Sequence, residues 1–249
     1  MTDSLAPARP KELGISTWLA SKEMDKRDPV SYRELVKRYY SGPAGWFTLL
    51  TGWVTGHESL ADDLFSPERF DITGCKRVLD AGCGNGRYLR FLQKRADDDA
   101  MLVGCDLSPK MLERARRRLK SDRPCLYSAD VTRLPFGDES FDALVCGWVL
   151  EHLPTIEAGL AELSRVLRPG GKLLVLTTEH TISGAICSRV YHSRTTRRGD
   201  LQTAAIRCGL GWHREYWWSK LHRWLRLGGI VVELRKPQRE ATGGEVPSV

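Results

Sequence analysis

From Arg77 to Leu234 the chain alternates short apolar runs with amphipathic stretches. The apolar runs Val78–Leu79, Met101–Cys105, Cys125–Val131, Phe141–Gly147 and Lys172–Thr178 read as strands buried on both faces. Between them, apolar residues recur at helical spacing. Tyr88, Leu89, Phe91 and Leu92 form one stripe; Leu160, Leu163, Val166 and Leu167 form another, and Pro169-Gly170-Gly171 stops it. Ser108-Pro109 opens a further helix, with Ser108 as N-cap and Pro109 at the first helical position. Such alternation predicts an α/β fold with a mostly parallel sheet.

The flanks read less clearly. Met1–Pro10 is small and polar, as a frayed end is. Ser31–Glu34 is a capping-box pattern that starts a helix running through Tyr40, and Ser41-Gly42-Pro43 breaks it. Gly45–Val54 is apolar with two Trp and suits core packing, a pocket wall or a membrane interface. Leu60–Phe65 makes a short helix. Thr181–Thr196 is irregular and polar, as a lid or substrate loop would be. Asp200–Leu210 reads as a helix N-capped near Asp200. Trp212–Trp218 and Ile230–Leu234 are the last two strands, linked by Ser219–Gly229, and the tail from Pro237 is polar and disordered. The domain division expected is 1–70 as an N-terminal cover, 71–178 as the core, 179–236 as a C-terminal substrate side, and 237–249 as tail.

Chemistry concentrates where the strands end. Asp80 closes the first strand, and Gly82, Gly84 and Gly86 follow at alternate positions before a helix begins. Glycine permits positive φ and lets a ligand approach the backbone. The spacing departs from G-x-G-x-x-G, and an acid before the turn would repel a pyrophosphate while suiting an amine-bearing ligand. Asp106 ends the second strand at the separation predicted for a ribose-binding acid, and Asp130 ends the third, placed to accept from an adenine amine.

The stretch from Val78 to about Leu176 resembles the S-adenosylmethionine-binding core of type 11 class I methyltransferases. The motifs are Val78–Gly86, Gly104–Pro109, Asp130-Val131 with Leu134-Pro135-Phe136, Ser140–Asp142 through Glu151–Leu153, and Arg165–Gly171, in the family's order. Within that family it is similar to ubiquinone/menaquinone and natural-product methyltransferases. The resemblance implies a Rossmann-like seven-stranded sheet with helices on both faces and an antiparallel last strand. It places the methionine moiety at Asp80 and Gly82, the ribose at Asp106, and the adenine at Asp130 and Val131. Ala81, Gly84, Leu107, Met111 and Gly147 join the cofactor site by the same likeness. An N-terminal helix in related enzymes presents an aromatic residue over the cofactor, a part for Tyr39 or Tyr40. The cofactor implied is S-adenosylmethionine, leaving as S-adenosylhomocysteine, with no metal.

Composition narrows this little. Apolar content of 41% and charged content of 28% are globular values. The seven cysteines are scattered without a C-x-x-C pair, which reads as reduced thiols in a cytoplasm. Cys83 reads as a compact packing residue. The net charge of +7 gathers at Arg114–Lys120 and Arg189–Arg198, which reads first as solvated helix faces.

Methyl transfer to an oxygen or nitrogen usually needs a base. His152 and His180, at the ends of strands four and five, are the catalytic candidates; His57 and His192 are secondary. The acceptor expected is a small or lipid-like molecule, with peripheral membrane contact and the oligomeric state open. A nucleic-acid acceptor is the alternative. Cys146-Gly147-Trp148-Val149 stands where amine-directed nucleic-acid enzymes carry Asn/Asp-Pro-Pro-aromatic, Pro124-Cys125 lies on the wrong strand for cytosine chemistry, and Glu151 is alone where arginine-directed enzymes use two glutamates. A non-catalytic protein that keeps the S-adenosylmethionine site is the other alternative.

Overall fold

A computed structural model describes residues 33, 34, 36–38, 40, 62–191, 193–217, 220–225 and 229–239. Its centre is one seven-stranded sheet in the order β3-β2-β1-β4-β5-β7-β6. The strands are β1 (Arg77–Ala81), β2 (Met101–Asp106), β3 (Cys125–Ser128), β4 (Phe141–Gly147), β5 (Leu167–Thr177), β6 (Gly211–Glu215) and β7 (Ile230–Arg235). Neighbours from β3 to β5 pair in parallel, and β7 runs antiparallel to both β5 and β6. The expected Rossmann-like sheet with an antiparallel last strand is therefore present.

The helices are α1 (Arg87–Arg95), α2 (Pro109–Leu119), α3 (Ile156–Val166), α4 (Ile182–Tyr191), α5 (Arg198–Arg207) and α6 (Lys220–Leu225). Two apolar clusters form on the sheet: Leu79, Leu144, Leu160 and Leu163 belong to one, Val78, Leu89, Phe91 and Leu112 to the other. Burial on both sides explains why β4 is apolar from Ala143 to Cys146; Asp142, near its start, is satisfied by the Lys76 and Arg77 amides at 2.5 and 2.8 Å and by Arg168. The predicted stripe on α1 is buried, and the hydroxyl of Ser108 caps α2 by accepting from the Met111 amide at 3.4 Å. Thr155 caps α3 in the same way, accepting from the Ala158 amide at 3.3 Å.

Several boundaries differ from expectation. Thr181–Thr196 is no irregular loop throughout; most of it is α4. Its exposed Ile182 and Ile186 blur the stripe that would have announced a helix. The helix expected from Asp200 starts at Arg198, with Arg197 at its N-cap and no side-chain cap. Pro169-Gly170-Gly171 does not itself end α3, which stops at Val166; it lies inside β5, which begins at Leu167 rather than Lys172, and the Gly170 amide bonds there to the Lys236 carbonyl at 2.9 Å. β3 stops at Ser128, and Asp130 forms only an isolated bridge with Arg133. Residues 45–54, His57 and the tail beyond Arg239 lie outside the described residues.

The chain builds β1, β2 and β3 outward in one direction, then returns to place β4 on the other side of β1. That reversal opens a crevice at the carboxyl ends of the strands, where open α/β sheets take ligands.

Candidate active site

At the crevice the glycine turn is folded back onto β2: the Gly82 and Cys83 amides both donate to the Cys105 carbonyl at 2.8 Å. Gly82 has φ 77° and Gly84 φ 52°. A Cβ on Gly84 would meet nothing within 4 Å, so the turn presents bare backbone to open space. The amides of Gly84 and Ser108 donate to the two Asp106 oxygens at 2.9 and 2.8 Å. Burial pushes the Asp106 carboxyl up to about 6, against the lowering effect of those two amides.

Asp80 lies beneath the turn with 0% exposure, and neither of its carboxylate oxygens has a hydrogen-bond partner. Burial first, and the Asp106 charge second, push it up to about 8, against a smaller lowering by the Leu89 amide, which lies too far or too bent for a full hydrogen bond. A bare buried carboxylate is costly unless something cationic completes it. The folded state holds a proton that the unfolded chain releases near its ordinary 3.8, so this group's contribution falls as pH rises from that value to about 8. Asp80→Asn is expected to melt higher than the parent protein at pH 8 and to lose that advantage towards acid. A difference in Tm that stays constant with pH, in scanning calorimetry without ligand, would contradict this.

Asp130 takes the Thr132 amide at 2.9 Å and its hydroxyl at 2.8 Å on one oxygen, and Arg33 Nε at 2.5 Å on the other. Burial alone would raise its carboxyl, yet Thr132 and Arg33 hold it below the usual range. Arg33 is one of the described residues between 33 and 40, all helical, and Arg114 Nη1 ties the same segment down a second time by donating to the Tyr40 carbonyl at 3.1 Å. That segment brings the Tyr40 hydroxyl to 2.7 Å from His152 Nε2, with the two rings edge to face. Burial pushes His152 down to about 4, so its ring is neutral at physiological pH.

These groups border one cavity of about 350 Å³, within the range of small-molecule sites. Gly82, Gly84, Asp106, Leu107 and Met111 line it, as do Tyr40, Asp130, Val131, Gly147 and His152. Asp80 and Ala81 do not; both are fully buried below the turn. Tyr39 and His192 lie outside the described residues. His180 does not line the cavity, because its Nδ1 turns to the Thr195 hydroxyl at 2.7 Å.

The cavity also gathers Trp148, which the sequence suggested as a mark of a bulky or planar apolar substrate, and Tyr88, Glu151, Cys187 and Tyr191, to which sequence reasoning gave no site role. Tyr88 rises from α1 and its hydroxyl accepts from Trp148 Nε1 at 3.0 Å; Trp148 itself adopts φ 61°. Glu151 takes the Thr178 hydroxyl at 2.9 Å and the Thr177 hydroxyl at 3.0 Å, and burial pushes it up to about 7. Cys187 and Tyr191 come from α4. Glu151 sits beside His152 in the chain, and that adjacency was the signal available. Burial pushes the Cys83 thiol well up, so this cavity-lining group is no thiolate. Among the described residues, no group of three or more His, Cys, Asp or Glu is placed to hold a metal ion.

Residues 79–175 match the type 11 family model described as a methyltransferase domain. Methyltransferase GfsG of Streptomyces halstedii is 36% identical over 125 residues, 47% of this chain and 42% of that protein. A demethylmenaquinone methyltransferase of Tropheryma whipplei is 36% identical over 109 residues, 44% of each chain. The chain thus spans less than half the length of these two relatives in the matched region. Among solved structures, magnesium protoporphyrin IX methyltransferase of Synechocystis with bound S-adenosylhomocysteine superposes with a TM-score of 0.64. It covers 81% of this chain and 98% of its own at 17% identity, a likeness of fold.

Proposed function

We propose, from the premise that residues 79–175 are a type 11 methyltransferase domain, that this protein is an enzyme moving a methyl group from S-adenosylmethionine to a small or lipid-like acceptor. The observation that carries the reading is the pair of acids at the glycine turn, half-buried Asp106 facing the cavity and Asp80 fully buried beneath it with neither oxygen hydrogen-bonded. The donor set fits a nucleoside that bears an ammonium group. Asp106 keeps free lone pairs for ribose hydroxyls after taking two amides. Asp80, protonated below about pH 8 in the empty site, gains a reason to ionise beneath Gly82 when an ammonium group approaches. Val131 and Leu107 offer apolar walls for a base, and Asp130 an acceptor beside them.

Bound there, S-adenosylmethionine supplies an already activated methyl group, so the protein's work is to align and to exclude water. Holding donor and acceptor at near-attack distance supplies up to ~7–11 kcal/mol. Trp148, Tyr88, Tyr191 and Leu153 wall the cavity with aromatic and apolar surface suited to a planar or lipid-like acceptor. Tyr40 and His152, as a neutral hydrogen-bonded pair, orient it. The relatives named for quinone and natural-product chemistry support that class of acceptor.

Peripheral membrane contact is part of this reading. The helix that lends Cys187 and Tyr191 to the cavity also exposes Ile182 (45%) and Ile186 (54%). Among the described residues no helix is long and apolar enough to cross a membrane. We place the protein in the cytoplasm on its seven unpaired cysteines.

Calorimetric titration with S-adenosylmethionine and S-adenosylhomocysteine is expected to give dissociation constants within ~1 μM–1 mM. A panel of reduced naphthoquinones, phenols and polyketide alcohols is then expected to yield at least one acceptor that drives S-adenosylhomocysteine formation. No heat with either nucleoside at millimolar concentration would end the reading.

A further inference from the structure

Glu151 borders two cavities, the one of about 350 Å³ described above and a second of about 280 Å³. It is 3% exposed. A continuous series of hydroxyls runs through it. Thr178, which lines the first cavity, donates to Oε1 at 2.9 Å, and Thr177 donates to Oε2 at 3.0 Å. The Thr177 hydroxyl is 3.4 Å from that of Thr196, which lines the second cavity with Thr155, Thr195 and Asp200.

We propose that Glu151 receives the proton given up by the methyl acceptor and passes it through Thr177 and Thr196 into the second cavity. The proposal rests on the methyl-transfer reading. The balance is simple. The acceptor's O–H, N–H or C–H bond breaks, and its electron pair forms the bond to the methyl carbon. The sulfonium–carbon pair returns to sulfur as a neutral thioether, and one proton is left to be taken by the Glu151 carboxylate.

Three observations favour Glu151 over its neighbours. The buried Glu179 and Glu233 are each held by an arginine, Arg198 at 2.9 Å and Arg235 at 2.7 Å, as structural acids are. Among the described residues no Lys or Arg pairs with Glu151; its carboxylate takes the Thr177 and Thr178 hydroxyls, and the backbone amides of Glu151 and Thr178 lower its pKa further. A hydroxyl can donate or accept by turning about its C–O bond, as a relay requires. His152, the histidine that lines the first cavity, is engaged by Tyr40 and pushed down to about 4, too weak a base at neutral pH. Glu151, pushed up to about 7 by burial, matches the task.

The first test needs no acceptor. S-adenosylmethionine is cationic at sulfur and S-adenosylhomocysteine is not, while both share the groups that Asp80 and Asp106 would meet. Calorimetry at pH 7 in buffers of different ionisation enthalpy counts the protons released. With Glu151 half protonated, the parent protein is expected to release up to about half a proton more with the sulfonium ligand. Glu151→Gln is expected to bind S-adenosylhomocysteine with unchanged affinity and to lose that difference. Equal release by the parent protein, or an unchanged difference in Glu151→Gln, overturns the proposal while leaving methyl transfer intact; failure of both ligands to bind removes the reading beneath it.

With an acceptor from the panel above, kcat/KM should rise with pH to a plateau above about 7, because the carboxylate is the active form. Glu151→Gln should lower the rate by about 10²–10⁴ and flatten that limb, and Glu151→Asp should restore the limb. Thr196→Val should keep the calorimetric difference yet turn over more slowly, with a larger solvent deuterium effect. Unaltered turnover in Thr196→Val overturns the route.

Discussion

Asp106→Ala is expected to weaken binding of S-adenosylmethionine and S-adenosylhomocysteine alike, by about 2–5 kcal/mol, or roughly thirtyfold to several thousandfold. The side chain does two things at once. Its oxygens gather the Gly84 and Ser108 amides at 2.9 and 2.8 Å, which ties the glycine turn to the start of α2. Its remaining lone pairs face the cavity, where a ribose would offer two hydroxyls. Truncation removes the acceptor for the sugar and leaves two amides without a partner, each a cost of about 1–3 kcal/mol where water cannot reach. The ribose is common to both ligands, so the loss must be equal for both. That equality separates Asp106 from Glu151, whose substitution acts on the charged ligand. Asp106→Asn retains one acceptor oxygen and should fall between. Titration calorimetry on the folded variant decides it, and affinity within threefold of the parent protein would contradict the ribose role.

Gly82→Ala is expected to be the most damaging single-methyl change at the site. Gly82 has φ 77°, and a Cβ there would lie 2.2 Å from Val149 Cγ2. The left-handed conformation costs an L-residue about 1–2 kcal/mol. Forcing a methyl into packed space adds about 1–3 kcal/mol. Val149 cannot move freely, because Trp148 before it is pinned by its amide to the Leu176 carbonyl at 2.8 Å and by its indole to Tyr88. Gly84→Ala is the control. It has φ 52° and open space around the new methyl, so only the conformational part applies. At about 2–4 °C per kcal/mol for a chain of this size, Gly82→Ala should melt clearly below Gly84→Ala. Equal Tm values for the two would show that the contact with Val149 is not felt.

The sheet and its helices were readable to different depths, for physical reasons visible in single elements. The centres of β2 and β4, Leu102–Cys105 and Ala143–Cys146, are buried, so they read as continuous apolar runs that few other structures tolerate. α2 announced itself through Ser108 and Pro109, a cap that acts within one turn. α4 did not, because it buries Ala185 and Ser188 while exposing Ile182 and Ile186, and so carries no clean stripe. β3 ended earlier than its apolar run; it lies at the sheet edge, where three of its four residues face solvent.

The candidate site divides in the same way. That three acids stand at the ends of consecutive strands, with glycines after the first, could be read from spacing alone, because strand, turn and helix are local. The roles of the histidines could not. His180 and His152 both follow a strand. His180 turns to Thr195, whereas His152 enters the cavity and meets Tyr40, 112 positions away in the chain. Nor could Glu151 be told from Glu179, since both are buried acids near strand ends and only the presence of Arg198 beside one separates them. The amino-acid sequence by itself determined the order of strands and helices and the acids at the crevice, since periodicity, capping and glycine geometry act over a few residues. Tertiary structure alone decided which acid is left bare, which is paired and which joins two cavities, because burial and charge at a side chain are set by neighbours distant in the chain.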